Sequence, residues 1–195
     1  FFWPYACGAD FDGMGCKVVN YPAFFWSTDS KQLGYIYERR NILQLRIRNL
    51  ETGEMYKNTM NPIFNRIYSA SFIDDENLVL SGNTNGFSDL YRYNLNTRIQ
   101  RNLTDDYHDD LDAKYAVIND IPGVLFSSNR DKSDVIPVEL DTLLTIGQFD
   151  LYFLSLDERG KLFRLNTSVQ ADEFKAEHSK GFISYRTDKY GVKTV

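Results

Sequence analysis

The residues best equipped for chemistry sit in one stretch, Thr104-Asp105-Asp106-Tyr107-His108-Asp109-Asp110-Leu111-Asp112. It holds five carboxylates and one of the two histidines of the chain. Asp105, Asp106, His108, Asp109, Asp110 and Asp112 are therefore candidate ligands, since converging carboxylates and an imidazole could hold a cation or a small ligand. The competing reading is a turn whose aspartates accept hydrogen bonds from nearby backbone N–H groups. The turn is preferred, because a calcium loop of the helix-loop-helix kind needs a central Gly and a final Glu that this spacing lacks.

Cys7 and Cys16, the only two cysteines, bracket a glycine-rich stretch. Two readings stay open: a small disulfide-closed loop, as in an exported protein, or two free buried thiols. Two thiols are too few for a metal centre, and the intervening Asp10 and Asp12 prefer harder cations than thiolates do. Other chemistry is missing. There is no Gly-x-Ser-x-Gly elbow, no phosphate-binding glycine loop and no His-Glu-x-x-His. Neither His108 nor His178 stands with a Ser or Cys in an arrangement that implies a triad. The sequence supplies a scaffold, with no catalytic residue and no cofactor called for.

The elements around these residues repeat. Gln44-Leu45-Arg46-Ile47-Arg48-Asn49-Leu50, Asp89-Leu90-Tyr91-Arg92-Tyr93-Asn94-Leu95 and Asp150-Leu151-Tyr152-Phe153-Leu154-Ser155-Leu156 are alike, and their final leucines are 45 and 61 residues apart. A second ladder begins at Gly34, Asn77, Gly123 and Gly181, and a third at Tyr21, Tyr68 and Tyr115. Turn residues separate the third ladder from the second, as in Thr28-Asp29-Ser30-Lys31, Asp74-Asp75-Glu76-Asn77 and Asn119-Asp120-Ile121-Pro122-Gly123. A short fourth run follows each of the first three units: Met55–Thr59, Ile99–Thr104 and Leu162–Thr167. Four short strands every forty-odd residues are the pattern of β-propeller blades. The long gap has a visible cause: Asn129 and Asp150 are separated by fifteen more residues than Asn83 and Asp89.

Asp-Leu-Tyr-x-Tyr-Asn-Leu-x-Thr followed by Asn-Leu-Thr-Asp-Asp resembles the WD40-like repeat of TolB-type propellers. Tyr-Pro-Ala-Phe with Ser-Thr-Asp-Ser-Lys-Gln-Leu-Gly-Tyr-Ile-Tyr-Glu-Arg-Arg resembles the other half of the same repeat. The resemblance runs from Tyr21 to Val195. It implies a propeller of the kind carried by large cell-envelope proteins of Bacteroidota, exported to the periplasm or cell envelope, including its outer-membrane complexes.

Composition fits this reading. The chain has 195 residues, 15% of them aromatic, with 13 Tyr and 14 Phe. Blades are packed on both faces, so their strands take bulky residues on both sides. Net charge is −5 without a basic block, which argues against a nucleic-acid surface. No apolar run is long enough for a transmembrane helix.

The reading is an all-β fold, a propeller segment of four-stranded antiparallel blades with about three and a half present. Residues 1–20 form an N-terminal segment, 21–66 a blade, 67–112 a blade, 113–168 a blade with an insertion at 131–149, and 169–195 a partial blade. Three and a half blades do not close a ring, so other proteins or further domains of the same chain are expected to complete it. The insertion carries Val135, Ile136, Val138, Leu140, Leu143, Leu144 and Ile146. That is too apolar for disorder. It reads either as an arm that docks a partner or as a cover for its own blade. The functional expectation is a non-catalytic protein-interaction scaffold. One alternative is the propeller of a prolyl-oligopeptidase-like serine hydrolase whose catalytic domain lies outside this chain. The other is a propeller that binds a ligand or glycan.

Overall fold

The computed structural model describes residues 22–84, 86–130, 148–157, 160–166 and 171–188. Cys7 and Cys16, with the insertion residues Val135, Ile136, Val138, Leu140, Leu143, Leu144 and Ile146, lie outside the described residues. The described residues are all-β. The first sheet comprises β1 (Ala23–Trp26), β2 (Gln32–Arg39), β3 (Ile42–Asn49) and β4 (Met55–Thr59). The second comprises β5 (Arg66–Phe72), β6 (Asn77–Thr84), β7 (Phe87–Asn94) and β8 (Gln100–Asn102). The third comprises β9 (Asp110–Ile118), β10 (Ile121–Ser128), β11 (Asp150–Ser155) and β12 (Leu162–Arg164). The fourth pairs β13 (Glu173–Ser179) with β14 (Phe182–Thr187). All pairings are antiparallel between neighbours in sequence. The first strands β1, β5, β9 and β13 adjoin in succession, so the sheets fan from a common line.

Strand alternation assigns each residue to one junction between sheets. In β6, Leu78 and Leu80 pack with Leu45, Ile47 and Tyr91 of the first junction, while Val79 between them joins Val124, Phe126 and Tyr152 of the second. In the third sheet Leu125, Leu151 and Phe153 turn instead toward Ala176 and Ile183 of the fourth. Both faces of the two middle sheets are thus covered, which is why β10 and β11 read as near-continuous buried runs.

The repeat is real in three dimensions. Leu45, Leu90 and Leu151 lie on β3, β7 and β11, pair with Ile36, Ser81 and Ser127, and are fully buried. The N–H groups of Leu50, Leu95 and Leu156 donate to the carbonyls of Lys31, Glu76 and Pro122, at 2.8, 2.7 and 2.8 Å. Ahead of two of them, Asn49 Oδ1 accepts from the N–H groups of Glu51 and Thr52, and Asn94 Oδ1 from those of Asn96 and Thr97. The recurrent Asn-Leu-x-Thr is therefore a side-chain-capped turn between the third and fourth strands.

Two local expectations are corrected. The turn over Asn119–Gly123 is only Asn119-Asp120, both with positive φ (49° and 64°), and Ile121 already pairs with Ile118. Two consecutive left-handed residues make the hairpin turn that matches strand twist, and Asn and Asp tolerate it. The Asp-rich stretch is also not all loop, because β9 begins at Asp110. A carboxylate can open a buried strand here only because a cation meets it, as the next section describes.

Candidate functional site

The candidate site lies where the second and third sheets meet. Asp89 is on β7, Asp106 is in the segment after β8, and Asp110 opens β9. One oxygen from each lies within 4.8 Å of the others, and all three side chains are buried. Into this group reaches Arg130, two residues past the end of β10 and also fully buried. Its Nη1 donates to Asp106 Oδ2 at 3.0 Å. Its Nη2 donates to both oxygens of Asp110 at 2.6 Å, and its Nε to Ser128 Oγ at 2.9 Å. The guanidinium carbon lies 5.7 and 5.8 Å from the ring centres of Phe126 and Tyr152, within cation–π range. Tyr152 also donates its hydroxyl to the Arg130 carbonyl at 2.6 Å.

Asp89 is the carboxylate without a guanidinium. Among the described residues its Oδ1 accepts only a long bond, 3.4 Å, from the Asp106 N–H. Burial, first, and then the charges of Asp110, Asp106 and Asp105 push its pKa up to about 7, against that N–H. Burial also pushes Asp110 upward, with the Arg130 guanidinium pulling the other way. Burial works against the Arg130 charge, but Asp110 and then Asp106 outweigh it and hold the group above its ordinary value. The arrangement is a buried ion triad with a proton-binding carboxylate at its edge. Asp106 and Asp110 already share a cation, so a metal ion there would have to displace the guanidinium.

The six candidate ligands separate. Asp106 and Asp110 meet on Arg130. Asp105 is exposed. His108 is half-buried, and its N–H donates to Asp106 Oδ1 at 2.9 Å. Asp109 accepts from the Ser88 N–H at 3.1 Å, while its own N–H donates to Asn129 Oδ1 at 2.9 Å. Asp112 has φ 57° in the bulge of β9 and accepts from the Lys175 N–H of β13 at 3.3 Å. Two members escaped the sequence reading. Asp89 stands at the repeat position of Gln44 and Asp150, and Arg130 is a cation just past the buried pair Ser127-Ser128. At the equivalent position of the third sheet Asp150 is buried and meets Arg164 of β12 instead, a related solution with a different cation.

TolB from Acinetobacter baumannii superposes with a TM-score of 0.59 at 17% identity, over 95% of this chain and 46% of that one. The fold is that of a TolB-like β-propeller. A protein assigned as TolB from Agrobacterium tumefaciens gives a TM-score of 0.53 at 13% identity, over 77% of this chain and 50% of its own. A puromycin hydrolase gives 0.59 at 13% identity, over 88% of this chain and 26% of its own. The chain thus spans about half the length of the TolB propellers it resembles. No family model and no curated protein matches the sequence. No helix among the described residues is long and apolar enough to cross a membrane.

Proposed function

We propose that this propeller is a non-catalytic interaction scaffold in the bacterial cell envelope, its blades presenting loops and sheet faces to other proteins or to further domains of its own chain. The observation that carries this reading is how the candidate chemistry is used. Asp106, Asp110 and Arg130 are spent on one another, out of reach of solvent, and fasten the second sheet to the third. A group that is buried and already ion-paired holds a structure together more readily than it meets a substrate. Site-specific photo-crosslinking of the protein in its own cells tests the reading. Discrete crosslinked proteins, recovered from several surface positions, are expected. A protein that crosslinks to nothing at any position would count against a scaffold.

The likeness to a puromycin hydrolase favours a second reading, the propeller of a serine hydrolase. Because that reading puts the catalytic domain outside this chain, puromycin hydrolysis by the full-length protein separates the two. No turnover is expected; turnover that is lost on changing the serine of a Gly-x-Ser-x-Gly segment outside these 195 residues would favour the enzyme.

A further inference from the structure

The outward face of the first sheet is unlike the faces that pack between sheets. Register and alternation place Phe24 and Trp26 of β1 and Tyr35 and Tyr37 of β2 on it. The same alternation places Arg39, Arg46, Arg48 and Lys57 there and no carboxylate. The opposite face carries Ile36, Leu43, Leu45 and Ile47 and is buried against the second sheet. Among the described residues no sheet covers the outward face: Phe24 is 65% and Trp26 55% exposed.

The repeat shows what such a face holds when another sheet packs on it. The positions of Tyr91 and Tyr93 in the second sheet, and of Tyr152 and Leu154 in the third, are buried against the preceding sheet. In the first sheet the same positions, counted from Leu45, Leu90 and Leu151, are Arg46 and Arg48. Arg46 bonds only neutral acceptors, the carbonyls of Leu45 and Asn58 and Gln44 Oε1. None of the four cations forms an ion pair among the described residues. Covering them with an apolar sheet would bury unpaired charge, which is strongly unfavourable. The covering surface must bring carboxylates, and the aromatic rings beside the arginines suit a partner with aromatic side chains of its own. Trp, Tyr and Arg are the side chains that anchor protein interfaces. Tyr35 already stacks between Phe24 and Tyr37, at 6.0 and 5.8 Å, and Arg46 lies 5.7 Å from the Tyr37 ring, so the surface is ordered before anything binds.

We propose that the outward face of the first sheet is a docking surface for an acidic, aromatic-bearing segment of another protein. This rests on the scaffold reading and gives it a location. A polypeptide is favoured over nucleic acid because the whole chain, at −5, repels an extended polyanion at long range, whereas the local patch attracts a short acidic one.

The probe is a fluorescein-labelled random copolymer of glutamate and tyrosine, with polyglutamate, polylysine and oligothymidylate for comparison, read by anisotropy on the 195-residue protein. The copolymer is expected to bind more tightly than polyglutamate and to weaken with salt. The pair Arg46→Glu and Arg48→Glu is expected to weaken it about tenfold or more. The pair Phe24→Ser and Trp26→Ser is expected to weaken the copolymer and leave polyglutamate unchanged. If the arginine pair does not fold by circular dichroism, Arg48→Glu with Lys57→Glu, both exposed, replaces it. Indifference of binding to charge reversal overturns the proposal, as does oligothymidylate binding as tightly as the copolymer. So does a dimer in sedimentation velocity that the arginine pair dissolves, since the occupant is then a second copy. Cellular crosslinks that persist in the arginine variant would leave the scaffold reading standing and remove this face from it.

Discussion

At the scale of single residues the molecule is decided by how it treats charge. Arg130 is surrounded by two carboxylates, a serine hydroxyl and two rings, all buried. Replacing it with Met leaves two carboxylates facing each other without a cation. Removing one partner of a buried ion pair costs about 3–5 kcal/mol, so Arg130→Met should lower the free energy of unfolding by that amount in urea titration. A second change, Asp110→Asn, should recover part of the loss. Asp89 gives a pH dependence of known sign. Its pKa is near 7 in the folded protein and 3.8 as an ordinary aspartate, so the folded form binds the extra proton between those values. The resulting stability is fully present below about pH 4 and is lost as pH rises through 7. The difference in stability between wild type and Asp89→Asn should therefore change with pH inside that window and be flat above it. A wild type and variant that stay parallel from pH 4 to 8 would show that Asp89 is ionised throughout. No spacing rule announces any of this. Arg130 is 20 and 24 residues from its partners, and only the pairing of β10 with β9 brings it to them.

At the scale of elements, the strands follow their alternation. β3 alternates Leu43, Leu45 and Ile47 inward with Gln44, Arg46 and Arg48 outward, and the sequence shows it directly. Glycine is required at one place for a different reason. A Cβ on Gly123 would lie 2.3 Å from the Phe153 ring and 2.6 Å from the Leu154 carbonyl oxygen. The ring could shift but the carbonyl, held in a sheet, cannot, so Gly123→Ala should destabilise by about 1–3 kcal/mol in thermal or urea unfolding. Gly53, where an added Cβ meets nothing but φ is +77°, is a control that probes backbone strain alone. The bulges of β9 and β13, with Asp112 and Lys175 at positive φ, were not legible beforehand. Neither residue type signals a bulge.

At the scale of the whole molecule, successive sheets share no strand and hold together through their faces. Leu95 is 7% exposed and Leu50 49%, although the two are equivalent in the repeat, because Leu95 faces the first sheet while no described sheet faces Leu50. The insertion gives the test at this scale. The insertion at 131–149 lies between β10 and β11, whereas residues 85–86 alone join β6 to β7. Replacing residues 135–146 with an Asn-Gly turn should leave a folded propeller that has lost a partner, if the segment is an interaction arm. A lower melting temperature with crosslinking partners unchanged would make it a cover for its own blade. Closing a longer loop costs little extra entropy, so its length alone favours neither outcome.

The sequence by itself determined the order of the strands, the repeat and the all-β propeller architecture. These follow from short-range physics: side-chain alternation, turn residues with suitable dihedrals, and a period that recurs. The tertiary structure alone decided which of the aspartates is buried with which cation, that Asp89 holds a proton near neutrality, and that one sheet face is cationic and aromatic where its equivalents are closed and apolar. Those properties depend on burial and on distances between residues far apart in the chain. Desolvation and Coulomb energies are set by neighbours in space, and no local pattern of residues encodes them.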